Sequence, residues 1–161
     1  MPGNENSDST EQPNEFFYYD EGLSSKIGEV LKHVGFSLEI GGKGRPDEDI
    51  IPEMGLKHQT WITKDDRSRV EHEDIILEAG ISIVFVRGLS HEGRKRSSLV
   101  KNTINLKQLL FLLVSKLDDI QAELSSSTKA RYFILYLRSR KAELSKHSTL
   151  REVWQQLFGS V

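Results

Sequence analysis

The chain has no cysteine in its 161 residues. That absence excludes disulfide scaffolds, thiolate zinc sites, iron–sulfur clusters and cysteine nucleophiles together. Net charge is also scarce: 22 Lys and Arg against 24 Asp and Glu leave −2 with histidine neutral, so no global basic field announces a nucleic-acid binder. Long apolar runs are missing as well. The longest, residues 109–114, falls far short of a membrane span, and the opening MPGNENSDSTEQPNE has neither the basic nor the apolar region of a secretory signal. A cytoplasmic protein with no membrane partner is the expectation. No histidine pair has metal-ligand spacing, and GGKGRP (41–46) lacks the Lys-Ser/Thr ending of a phosphate-binding loop.

What is present is an alternation of strand and helix patterns. The length suits one domain. The organisation expected is a disordered tail over 1–14, a folded domain over 15–146 and a terminal amphipathic helix over 147–161. FFYY (16–19) reads as a buried strand stopping at Asp20. Leu23, Ile27, Val30, Leu31 and Val34 then recur at helical spacing up to Gly35. A second strand is predicted over 36–40, and a short helix from Asp47 with Pro52 in its first turn. A third strand over 59–63 ends in Thr63, and a helix over 70–79 stops at Gly80. ISIVFV (81–86) is a continuous apolar run of the kind that parallel sheets bury on both faces.

A long helix over 105–123 should turn Leu106, Leu109, Leu110, Leu113, Leu117 and Ile120 inward. A strand over 130–137, a short hairpin partner at 141–144 and a helix over 149–158 complete the chain. The last helix has a stripe of Leu150, Val153, Trp154 and Leu157, which makes a homodimer a candidate assembly. This order predicts an α/β fold, a three-layer α/β/α sandwich with a mostly parallel central sheet. Ligands in such folds bind outside the carboxyl ends of the strands.

The acids fall at those ends. Asp20 follows the first strand, Asp47 starts a helix after the second, and Asp65 follows the third. Three carboxylates sharing a rim repel one another and raise each other's pKa unless a cation lies between them. With no thiolate and no histidine pair, the cation indicated is a hard, oxygen-ligated ion, Mg²⁺ or Mn²⁺, whose use in such a site is phosphodiester hydrolysis. Thr63 is placed to hold a carboxylate or a water. Each aspartate also has a plainer reading as a helix cap or a turn residue. Arg67 and Arg69, just beyond Asp65, could grip a substrate phosphate or simply pair with nearby acids. Arg94, Lys95 and Arg96, in the basic loop after the fourth strand, are candidates for RNA attraction or a solvated loop. Arg131, Arg138, Arg140 and Lys141 form a second basic group around the late strand pair.

The order FFYYDEGLSSKIGEVLKHVGF, PDEDIIPEM, TWITKDDRSR and EAGISIVFV resembles the PIN-like domain family, near its VapC-type toxin ribonucleases. Asp20, Asp47, Thr63 and Asp65 match that pattern position by position, over about residues 16–87. The resemblance implies a metal-dependent endoribonuclease, often paired with an antitoxin, acting on RNA with Mg²⁺ or Mn²⁺ on Asp20, Asp47 and Asp65. It also implies a fourth acid from the following helix, Glu71 or Glu73. Ile50 stands where related sequences often have Trp. The alternative is a catalytically degenerate PIN-like module that binds RNA or protein without cutting.

Overall fold

A computed structural model describes residues 14–89 and 104–159. The expected tail, apart from Asn14, and the basic loop with Arg94, Lys95 and Arg96 lie outside the described residues, as does the side chain of Arg67. The elements run β1 (Phe17–Tyr19), α1 (Ser25–His33), β2 (Leu38–Ile40), α2 (Asp47–Leu56), β3 (Thr60–Thr63), α3 (Asp66–Glu71), α4 (Glu73–Ala79), β4 (Ile83–Leu89), α5 (Leu106–Ser125), β5 (Tyr132–Arg138), β6 (Lys141–His147) and α6 (Leu150–Phe158). The six strands form one sheet in the order β2-β1-β3-β4-β5-β6. All neighbours are parallel except β5 and β6, an antiparallel pair.

Alternation along the strands splits the core in two. Phe17, Tyr19, Ile62, Val84, Val86, Phe133 and Leu135 point to one face, where α1 and α5 cover them with Ile27, Leu31, Leu109, Leu113 and Leu117. Tyr18, Trp61, Ile83, Phe85, Tyr132 and Ile134 point to the other, under Ile50, Ile51 and Met54 of α2, Ile76 of α4, and Leu150 and Val153 of α6. Both faces are buried, so the inner strands carry no polar side. The stripe on α6 is consumed here: Trp154 packs edge-on against Phe85, with ring centroids 5.6 Å apart. The feature that suggested a second copy of the chain is internal.

Several local expectations are corrected. Pro52 is the sixth residue of α2 rather than part of its first turn, so one intrahelical hydrogen bond is missing, and burial of Ile50, Ile51 and Met54 on both sides of it holds the helix. The helix expected over 70–79 is two, α3 and α4, parted at His72, and the second ends at Gly80 with φ +67° as a left-handed cap. In α5 the inward row is Leu109, Leu112, Leu113, Leu117 and Ile120, while Leu106 is 53% exposed. The Asn105 side chain accepts from Gln108 N at 2.8 Å and Gln108 Oε1 accepts from Asn105 N at 3.2 Å, a capping box that starts this helix one residue before Leu106. Strand β6 runs to His147, well past the predicted 141–144, because seven residue pairs hold it to β5. Among the described residues no helix is long and apolar enough to cross a membrane.

The sheet order fixes where a ligand can bind. From β1 the chain passes through α1 on one face to β2, then returns through α2 on the other face to β3. The strand order therefore reverses between β1 and β3, and their carboxyl ends open onto a crevice there.

Candidate functional site

The crevice is an open cavity of about 470 Å³ lined by Asp20, Glu21, Gly22, Asp47, Lys64, Asp65 and Arg69. Asp20 reaches it as the residue after β1, its backbone N–H held by Ile62 O at 3.0 Å and its own C=O accepting from Leu23 N at 3.0 Å. Asp65 reaches it from the turn after β3. Asp47 reaches it as the first residue of α2, where three successive acids, Asp47, Glu48 and Asp49, meet the positive end of the helix. Gly22 lets the turn close over Asp20: a Cβ there would lie 3.3 Å from Asp20 Oδ2.

The Thr63 hydroxyl organises the site. It donates to Asp20 Oδ2 at 3.0 Å and accepts from Asp65 N at 3.2 Å and from Arg69 Nη2 at 3.0 Å. One donor and two lone pairs are all that a hydroxyl has, and each is used. A fully buried Thr63 thus sets the carboxylate after β1, the backbone after β3 and the Arg69 guanidinium relative to one another.

Arg69 is the central cation. It is 2% exposed, with Nη1 2.6 Å from Asp47 Oδ2 and Nη2 3.3 Å from Asp20 Oδ2, and its Cζ lies 3.4 Å from the centroid of the Trp61 ring. The guanidinium is sandwiched between an aromatic face and two carboxylates, which satisfies both its charge and its plane. Burial pulls it below the usual arginine range, against the attraction of Asp20, Asp47 and Asp65. Burial likewise pushes the Asp20 carboxyl up; Arg69 and the Thr63 hydrogen bond oppose this, and Asp47 and Asp65 add to it. The cost of desolvation leads for both partners.

The structure brings Asp20, Asp47, Asp65, Thr63 and Arg69 together and leaves Glu71 and Glu73 out. Neither of these glutamates lines the cavity; Glu71 is exposed, and Glu73 lies toward Tyr132, whose phenol is pushed up by burial first and by this carboxylate second. The further acid on the cavity is Glu21, beside Asp20 in sequence, whose Oε2 accepts from Gly44 N at 2.9 Å and so ties down the segment leading to Asp47. Lys64 is the second cation on the wall. Arg69 returns to the rim because α3 begins at Asp66, ahead of the expected helix, and helical side chains lean toward the N-terminus.

The oxygen donors suit a hard divalent ion in chemistry and do not fit one as arranged. Among the described residues no group of three His, Asp or Glu side chains is placed to hold a metal. The reason is visible: Asp20 Oδ2 and Asp47 Oδ2 both face Arg69. No protein-family model, curated protein or solved structure matches the chain.

Proposed function

We propose that the chain is a PIN-like protein that hydrolyses RNA phosphodiesters in the presence of Mg²⁺ or Mn²⁺, with Asp20, Asp47 and Asp65 as its catalytic acids. The observation that carries this reading is their meeting on one open cavity at the point where the strand order reverses, with the buried Thr63 hydroxyl bonded to Asp20 behind it. Four carboxylates against two cations leave that cavity net negative. A phosphate enters such a site only with added positive charge, which supports dependence on a divalent ion. Lys64, exposed on the wall, supplies one charge for a phosphate oxygen. Thr63 keeps Asp20 from rotating away. An antitoxin partner belongs to the same proposal.

A second reading rests on Arg69. A buried guanidinium already balances two of the three aspartates, which favours a degenerate module that binds RNA or protein without cutting it. One experiment separates the two. A single-stranded RNA incubated with Mn²⁺ should be cleaved by the native chain and not in EDTA. Asp65→Asn should abolish cleavage while leaving thermal unfolding unchanged, since the Asp65 side chain is exposed. Cleavage that survives Asp65→Asn or EDTA rejects the first reading, and RNA binding without products selects the second.

A further inference from the structure

The β5–β6 turn breaks two rules of hairpin construction at one place. Ser139 and Arg140 make a two-residue turn with φ of +50° and +64°. Two-residue turns with both central residues left-handed take Asn-Gly or Asp-Gly, which adopt that conformation without strain. On either side, Arg138 and Lys141 stand directly opposite each other in the register, a like-charge pair that weakens a sheet. All four residues are exposed, so no core packing demands them. A strained conformation at Ser139 and Arg140 that no core packing requires points to a use elsewhere.

The location suggests the use. Strand β5 runs parallel to β1 and β3, so its carboxyl end lies on the same rim as the acid cavity. Thr63 pairs with Phe85 and Phe85 with Ile134, which puts Arg138 four residues beyond the level of Thr63. At about 3.3 Å per residue and about 4.8 Å between strands, the turn projects roughly 13 Å past Thr63 and stands roughly 10 Å to one side of it. The turn that carries Arg138, Arg140 and Lys141 therefore stands beyond the same rim, to one side of a cavity whose lining is net negative.

We propose that the β5–β6 turn is a sequence-independent docking point for the phosphate backbone of the RNA strand whose neighbouring phosphate enters the cavity. This rests on the RNA-directed reading above. Exposed cations with no aromatic side chain among them suit backbone phosphates rather than bases.

The test uses the full chain carrying Asp65→Asn, in EDTA, with a fluorescein-labelled single-stranded RNA and anisotropy over a series of salt concentrations. Replacing Ser139-Arg140 by Asn-Gly should weaken binding several-fold and lower the slope of log affinity against log salt by about 0.7, the share of one phosphate that Arg140 no longer neutralises. The same change should raise the melting temperature, because the turn strain is relieved. Lys141→Gln, which leaves the turn intact, should weaken binding in the same direction. Unchanged affinity and slope in both variants overturns the proposal, as does equal competition by poly-glutamate at matched charge. Cleavage assays on the same substitutions with Asp65 restored keep the readings apart. Native cleavage with unaltered binding discards only the role of the turn; weakened binding in a chain that never cleaves discards only the nuclease.

Discussion

Arg69 Nη1 lies 2.6 Å from Asp47 Oδ2, so a residue of α3 is bonded to the first residue of α2 across the mouth of the cavity. The same guanidinium reaches Asp20 at 3.3 Å, and so it ties together three segments that are distant in sequence. Removing it leaves the buried Asp20 carboxylate and the half-buried Asp47 carboxylate without the cation between them. Arg69→Gln is expected to lose about 3–5 kcal/mol in EDTA, the usual result of breaking a buried pair from one side. Added Mn²⁺ should then raise the variant's melting temperature by more than it raises that of the native chain. A variant indifferent to Mn²⁺ would show that Asp20 and Asp47 hold no cation even when released.

Asp20 gives a pH dependence of definite sign. Its carboxyl is raised from an ordinary 3.8, chiefly by burial. Between 3.8 and the raised value the folded chain keeps a proton that the unfolded chain has released. Stability from this group is therefore full below 3.8 and declines as pH rises through the window. Asp20→Asn has no such proton to lose. In urea titrations without metal, the stability difference should move in the variant's favour as pH climbs from acid toward neutral; movement the other way would mean that the Arg69 attraction outweighs burial.

The Thr63 hydroxyl is fully committed, and its loss strands a donor on each side. Thr63→Val should cost about 1–3 kcal/mol by leaving Arg69 Nη2 and Asp65 N short of an acceptor. Thr63→Ser keeps all three bonds and should recover most of that stability. Chemical denaturation of the two variants side by side is the check, and equal losses in both would assign the effect to the methyl group instead.

Gly55 sits where α2 passes α4, and a Cβ there would come within 2.9 Å of the Ala79 carbonyl oxygen. Backbone cannot turn aside as a side chain does. Gly55→Ala is expected to destabilise by about 1–3 kcal/mol, despite the better helix propensity of alanine. It should also weaken whatever the cavity binds, because α2 carries Asp47. A rise in melting temperature would mean that the two helices part without cost.

The strand and helix order was readable because β1, β3 and the first half of β4 are buried on both faces and so appear as short runs of large apolar residues (FYY, WI, IVFV), while α1 and α6 show clear stripes. What was hidden had weak or conflicting signals. β6 is a half-buried edge strand whose KAELSKH contains just two apolar residues, Ala142 and Leu144, turned to the core. The break between α3 and α4 depends on His72, a residue with no breaking signature of its own. The rim acids were legible from their place after each strand. Spacing alone could not show that Arg69 would be buried among them, since an arginine beyond an acidic turn reads equally well as a solvent-facing phosphate grip.

The way α3 is held has a mechanical meaning. Of its described side chains only Arg69 is buried, while Val70 is 41% exposed and Glu71 also faces solvent. Among its described side chains the anchor is therefore a buried, charged plug instead of a greasy face, and salt screens such a pair far less than an exposed one. Its amides are expected to exchange with deuterium ahead of those in the neighbouring strands, and faster still in Arg69→Gln, while the sheet beneath stays shut.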